Sequence, residues 1–141
     1  MTFLWFNRRI GNMQMAIPLI LGDILTIALV TIIGFASHGE AGLTFLPRIA
    51  AAFFPLLISW FLLAPALGLF WPEIVYDLKQ LWRPAVTGVF AGSFAAVLRG
   101  FILNAPVIPI FAVVLGTTTA IGMVIWRGLY YLLQRNANVN Q

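Results

Sequence analysis

The stretch AIPLILGDILTIALVTIIGFA, residues 16–36, holds one charged side chain, Asp23, among 21 residues. At 1.5 Å of rise per residue a helix of this length covers about 31 Å, which matches a hydrocarbon core roughly 30 Å thick. Three more runs of the same kind follow, from about Ile49 to Phe70, Ala85 to Leu103 and Pro109 to Trp126. Helix-breaking residues fall between them: Gly39 and Gly42 after the first, Pro47 at the opening of the second, and Asn104, Pro106 and Pro109 before the fourth.

Composition agrees with this division. Of 141 residues, 62% are hydrophobic and 9% charged, whereas a water-facing surface normally raises the charged share to about 25%. The fold expected is all-α: a polytopic four-helix transmembrane bundle occupying 1–141 as a single transmembrane domain. Between the second and third spans, WPEIVYDLKQLWRP (residues 71–84) puts Ile74, Leu78, Leu81 and Trp82 on one helical face between prolines, and reads as a short interfacial helix.

Orientation follows from the basic residues. With four spans, Arg8, Arg9, Lys79, Arg83, Arg127 and Arg135 share one side and only Arg48 and Arg99 lie opposite, which predicts cytoplasmic N- and C-termini in a bacterial-type inner membrane. Trp5, Trp71, Tyr76, Trp82, Trp126, Tyr130 and Tyr131 fall on the same side at headgroup depth, and Trp60 alone lies mid-span. The net charge of +4 is thus read as orientation rather than as nucleic-acid binding. Arg8 and Arg9 before an apolar run, with Gly34-Phe35-Ala36 behind it, have the outline of a signal peptide. The run is longer than a signal core and carries Asp23, so a retained span is expected.

The few polar residues at membrane depth carry the chemistry. Asp23 lies about seven residues inside the first span, roughly 10 Å below the interface, where an ionised carboxylate needs a partner, a proton or water. Thr26, Val30 and Gly34 share its face, and in the fourth span Gly116 and Ala120 share a face with Arg127. An Asp23–Arg127 pair between the two helices is expected, with Arg83 as a rival partner. Such a pair serves either to fix helix register or as part of a proton or solute site.

At the opposite rim, Ser37-His38-Gly39-Glu40, Arg48 and Arg99 are placed to converge. His38 and Glu40 could then work as a pH-sensitive gate, or bind an anion together with the arginines. The plainer alternative is that these residues cap helix ends and reach toward headgroups. One histidine and no cysteine leave no metal site to expect.

Gly88, Gly92, Ala96 and Gly100 recur every four residues, a stripe suited to close helix packing. Pro55 and Pro65 each free a carbonyl one turn earlier and bend the second span around Ser59 and Trp60, as happens both beside cavities and in ordinary bundles. Thr117, Thr118 and Thr119 are expected to bond back to their own helix. The chain has no phosphate-binding loop, dinucleotide fingerprint, HExxH or nucleophile elbow. Neither enzymatic activity nor a cofactor is therefore expected.

Gly22-Asp23, the Ile33-Gly34-Phe35-Ala36-Ser37-His38 exit, Arg48 before Phe54-Pro55, Trp60, Pro65, Arg99, and Thr119 with Trp126-Arg127 resemble a family of small four-helix bacterial membrane proteins. That family bears only a domain-of-unknown-function label. The resemblance spans nearly the whole chain, implies a membrane location and supports Asp23, His38, Arg48, Arg99 and Arg127 as positions of interest. It implies no activity. Two roles stay open: a small transporter or channel subunit for protons or a small solute, as a homo-oligomer in the lipid bilayer, or an accessory subunit of a larger membrane complex docking through the glycine stripe and the interfacial helix.

Overall fold

A computed structural model describes residues 2–140, with side chains described from Ala16 onward. Arg8, Arg9 and Trp5, which enter the orientation reading, have side chains outside the described set. The helices are α1 (Thr2–Ser37), α2 (Leu46–Ala66), α3 (Pro72–Val75), α4 (Trp82–Leu103) and α5 (Pro109–Val139), with 3-10 turns at Leu43–Phe45 and Leu78–Gln80. Among the described residues there is no strand. Four segments are long and apolar enough to cross a membrane: Ala16–Ser37, Leu43–Ala66, Leu78–Leu103 and Pro109–Val139. The chain is thus an all-helical, multi-pass membrane protein.

Three helices end in the same way. In each, a residue with positive φ follows the last turn: Gly39 (φ 73°), Gly68 (φ 70°) and Asn104 (φ 48°). The amide of the next residue then reaches back five positions, from Glu40 to the Phe35 carbonyl, from Leu69 to that of Ala64 and from Ala105 to that of Gly100. This Schellman pattern satisfies carbonyls that would otherwise be orphaned. At Gly68 it stops α2 at Ala66, four residues short of the Phe70 boundary suggested by hydropathy, and turns Leu67–Phe70 back into the bundle. Leu69 is buried in that turn.

The connection between α2 and α4 contains the expected short helix, but only one turn of it. After Pro72–Val75 the chain breaks at Asp77, whose carboxylate accepts from the Lys79 amide at 2.9 Å and starts the 3-10 turn. Trp82 belongs to α4 instead, and Pro84 sits in its first turn, where a missing N–H costs nothing.

The core is formed by Ile27 of α1, Leu56, Trp60 and Ala64 of α2, Ala91 and Ala95 of α4, and Leu115 and Met123 of α5. The glycine stripe packs inward against α5. A Cβ on Gly88 would meet the Ala120 backbone at 2.6 Å, and one on Gly92 would meet Gly116 Cα and N. Small residues are required here because lipid offers no hydrophobic drive for association, so close backbone approach supplies the packing. Thr117, Thr118 and Thr119 donate to carbonyls four residues back at 2.8, 2.8 and 2.6 Å. Ser59 does the same to Pro55, at 2.7 Å.

Gly92→Leu is expected to force α4 from α5 and to destabilise the bundle by about 1–3 kcal/mol or more through overpacking. Phe94→Leu, at an exposed position of the same helix, is expected to leave stability nearly unchanged. Thermal unfolding of both variants in one detergent checks the difference.

Candidate functional site

Asp23 is fully buried and its carboxylate is saturated. Oδ1 accepts from Trp126 Nε1 at 3.0 Å and from Arg127 Nε at 3.1 Å, while Oδ2 accepts from Trp60 Nε1 at 3.0 Å and Arg127 Nη2 at 2.6 Å. Two donors per oxygen match the four lone-pair sites of an ionised carboxylate. The Arg127 pair is bidentate, with two guanidinium N–H groups lying along the two oxygens. Arg127 also donates through Nη1 to the Leu69 carbonyl at 2.6 Å, and its guanidinium carbon lies 5.2 Å from the centre of the Phe70 ring. Three helices and the Gly68 turn therefore meet at one charge pair.

The sequence explains how this site forms. Gly22 has no side chain, and a Cβ there would occupy the space of the Trp126 ring. The indole packs against α1 at that position and donates its N–H to Asp23. Trp60 is completely buried on α2, one turn beyond the bend at Pro55. Gly68 turns the chain so that Leu69 carries a carbonyl inward. Once these groups are in place, Asp23 is fully buried beside the core that holds Ile27, Leu56 and Met123, and only a pocket of about 10 Å³ borders Arg127.

Of the residues singled out by spacing, Asp23 and Arg127 come together directly, at 2.6 Å. Thr26 does not join them, because its hydroxyl donates to the Gly22 carbonyl at 2.7 Å. Arg83 lies elsewhere, bonded to Gln80 at 2.8 Å and to the Leu67 carbonyl at 2.9 Å. Spacing missed Trp60, Trp126 and the Leu69 carbonyl. Trp126 was expected at headgroup depth, yet it packs on the core. Tyr130 is buried as well.

At the other end of the bundle α1 leans away from α5. Near the middle the helices touch, since a Cβ on Gly122 would lie 2.8 Å from Val30. One turn further along α1, a Cβ on Gly34 would meet nothing within 4 Å. The gap is a half-open cavity of about 830 Å³ bordered by α1, α2 and α5 and by Arg99 of α4, with Ile33, Val114 and Ile121 exposed along it. His38, Glu40, Arg48 and Arg99 all line it. Arg48 and Glu40 pair at 3.3 Å, with Arg48 exposed and Glu40 half-buried. Arg99 stacks over Phe111 at 4.8 Å, and its Nε is buried without a hydrogen-bond partner among the described residues. Of the two outcomes open around Ser59 and Trp60, ordinary packing is the one found, since both side chains are fully buried.

Residues 20–130 match the family described as "Protein of unknown function (DUF3054)". The chain belongs to this DUF3054 family. No curated protein and no solved structure matches it. The DUF3054 segment includes the whole charge cluster, from Gly22 to Arg127, and every rim residue of the cavity.

Asp23→Ala would leave the Arg127 guanidinium and two indole N–H groups without an acceptor in a dry site. The expected loss is about 3–5 kcal/mol, as for breaking one side of a buried ion pair. The double variant Asp23→Leu with Arg127→Met removes both charges and is expected to recover most of that loss. Thermal unfolding of the single and double variants in detergent measures both effects.

Proposed function

We propose that the chain is a small transporter or channel subunit of a bacterial-type cytoplasmic membrane, with both termini cytoplasmic and the cavity facing the opposite side. The observation that carries this reading is the cavity of about 830 Å³ at membrane depth, lined by charged groups at its rim and ending on a dry barrier. Ligand sites fall in the same size range, roughly 300–1,000 Å³. Below its floor at Thr31, Ala52 and Leu115 lie Ile27, Leu56 and Trp60, and below these the Asp23–Arg127 cluster. This is the layout of an access path open at one end and sealed at the other.

The orientation rests on the basic residues that remain free to act as topology signals. Setting aside Arg127, which is used in the buried pair, the bias is five to two, with Arg8, Arg9, Lys79, Arg83 and Arg135 on the cytoplasmic side. Exposed Trp71 and Trp82 add an aromatic anchor at the same level. The alternative role, an accessory subunit docked through the glycine stripe and the interfacial helix, loses much of the first surface because α5 already covers Gly88 and Gly92.

Passage would require the Asp23 cluster to open, so the transported species is either a proton handed through it or a small solute admitted when α1 moves. Gly34→Trp tests the path without touching the cluster, since the new side chain enters open space. Vesicles containing trapped pyranine and reconstituted protein are expected to show proton flux well above empty vesicles under an imposed potassium diffusion potential. Gly34→Trp is expected to bring the flux down at least tenfold with an unchanged unfolding temperature. Wild-type flux equal to that of empty vesicles would contradict the proton reading, and a plugged variant as active as the wild type would contradict a path through the cavity.

A further inference from the structure

The cavity carries a second message in the way its polar and apolar parts are divided. Charged groups sit at the rim only: Glu40, Arg48 and Arg99, with His38 beside them. Deeper in, the wall is made by side chains such as Val30, Val114, Leu115 and Ile121. Glu40 and Arg48 neutralise one another in their ion pair. Arg99 is left as the uncompensated charge, since it takes part in neither of the ion pairs found among the described residues. Its guanidinium is held in place by the Phe111 ring, and the buried Nε still lacks an acceptor.

An unpaired buried donor on a cation is costly, and an anionic oxygen is the group that would satisfy it. An inorganic anion would answer the charge and leave the apolar depth empty. A neutral apolar molecule would do the reverse. We propose that the cavity binds an amphipathic monoanion, a carboxylate or phosphate head on Arg99 with a single hydrocarbon chain lying between α1 and α5. A chain of about ten carbons fits comfortably within 830 Å³. This deepens the transport reading by naming a substrate class and rests on it for purpose. Binding is nevertheless measurable without any flux.

Glu40 sets the sign of a second effect. It holds Arg48 in an ion pair and adds negative charge to the rim, so removing its charge should strengthen anion binding. A residue that merely shaped the rim would not produce that gain.

The test is equilibrium binding of radiolabelled decanoate to the full chain in phosphatidylcholine nanodiscs, with empty nanodiscs subtracted. Saturable binding is expected for the wild type, at least tenfold weaker for Arg99→Gln and several-fold tighter for Glu40→Gln. Gly34→Trp is expected to abolish it. Decyltrimethylammonium and inorganic phosphate are expected not to compete. Nanodiscs containing phosphatidylglycerol distinguish the source: competition identifies a bilayer lipid as the natural anion, and its absence identifies a single-chain solute. No saturable binding, equal affinity in Arg99→Gln, or competition by decyltrimethylammonium would overturn the assignment. Decanoate binding that survives while vesicles containing the protein take up no more radiolabelled decanoate than empty vesicles would refute transport alone.

Discussion

A carboxylate at membrane depth must find its whole hydrogen-bonding complement inside the protein, because lipid offers none. Asp23 finds four donors, and they come from three side chains on two other helices. That demand fixes much of the bundle. α1 must be rotated to face α2 and α5 together, Gly22 must leave room for an indole, and the turn after α2 must bring a carbonyl to the remaining side of Arg127. The glycine stripe of α4 is a separate requirement, which sets the distance to α5 and so holds Arg127 and Trp126 in position.

The same constraint gives the molecule two unlike ends. At the Asp23 end both carboxylate oxygens and all three guanidinium nitrogens of Arg127 are hydrogen-bonded, and the space left beside Arg127 is only about 10 Å³. At the His38 end α1 is mostly exposed beyond Thr31, with Phe35 half-buried, and the arginines border open space. Burying the one strongly bonded pair at one end lets the other end separate without loss of the bundle. A path through the membrane needs that asymmetry, with one side sealed by a specific interaction and the other accessible.

Hydropathy made the four helices legible because apolar length is directly required by the bilayer. The Asp23–Arg127 approach could also be read, since helical spacing placed each on a small-residue face. Backbone effects were harder to see. Gly68 carried the only signal for the turn that presents the Leu69 carbonyl, and the apolar run continuing to Phe70 hid it. Trp126 was read as a headgroup anchor because it stands next to an arginine near the end of an apolar run. That arginine is buried in the ion pair, the helix continues to Val139, and the half-buried tryptophan packs against the core. Its signal was the Gly22-Asp23 pair, a gap beside an acceptor. The cavity could not be located from proline bends, because whether a bend leaves space depends on the side chain that packs into it, and here Trp60 does.

Whether water enters the proposed vestibule and stops above the Asp23 cluster can be read by thiol accessibility, since the chain has no cysteine of its own. Single variants Gly34→Cys and Ile27→Cys would be treated in native membranes with a membrane-impermeant thiol reagent from the side facing the cavity. The account predicts rapid labelling at position 34 and none at position 27, two helical turns deeper. Equal labelling at both positions, or none at either, would contradict it.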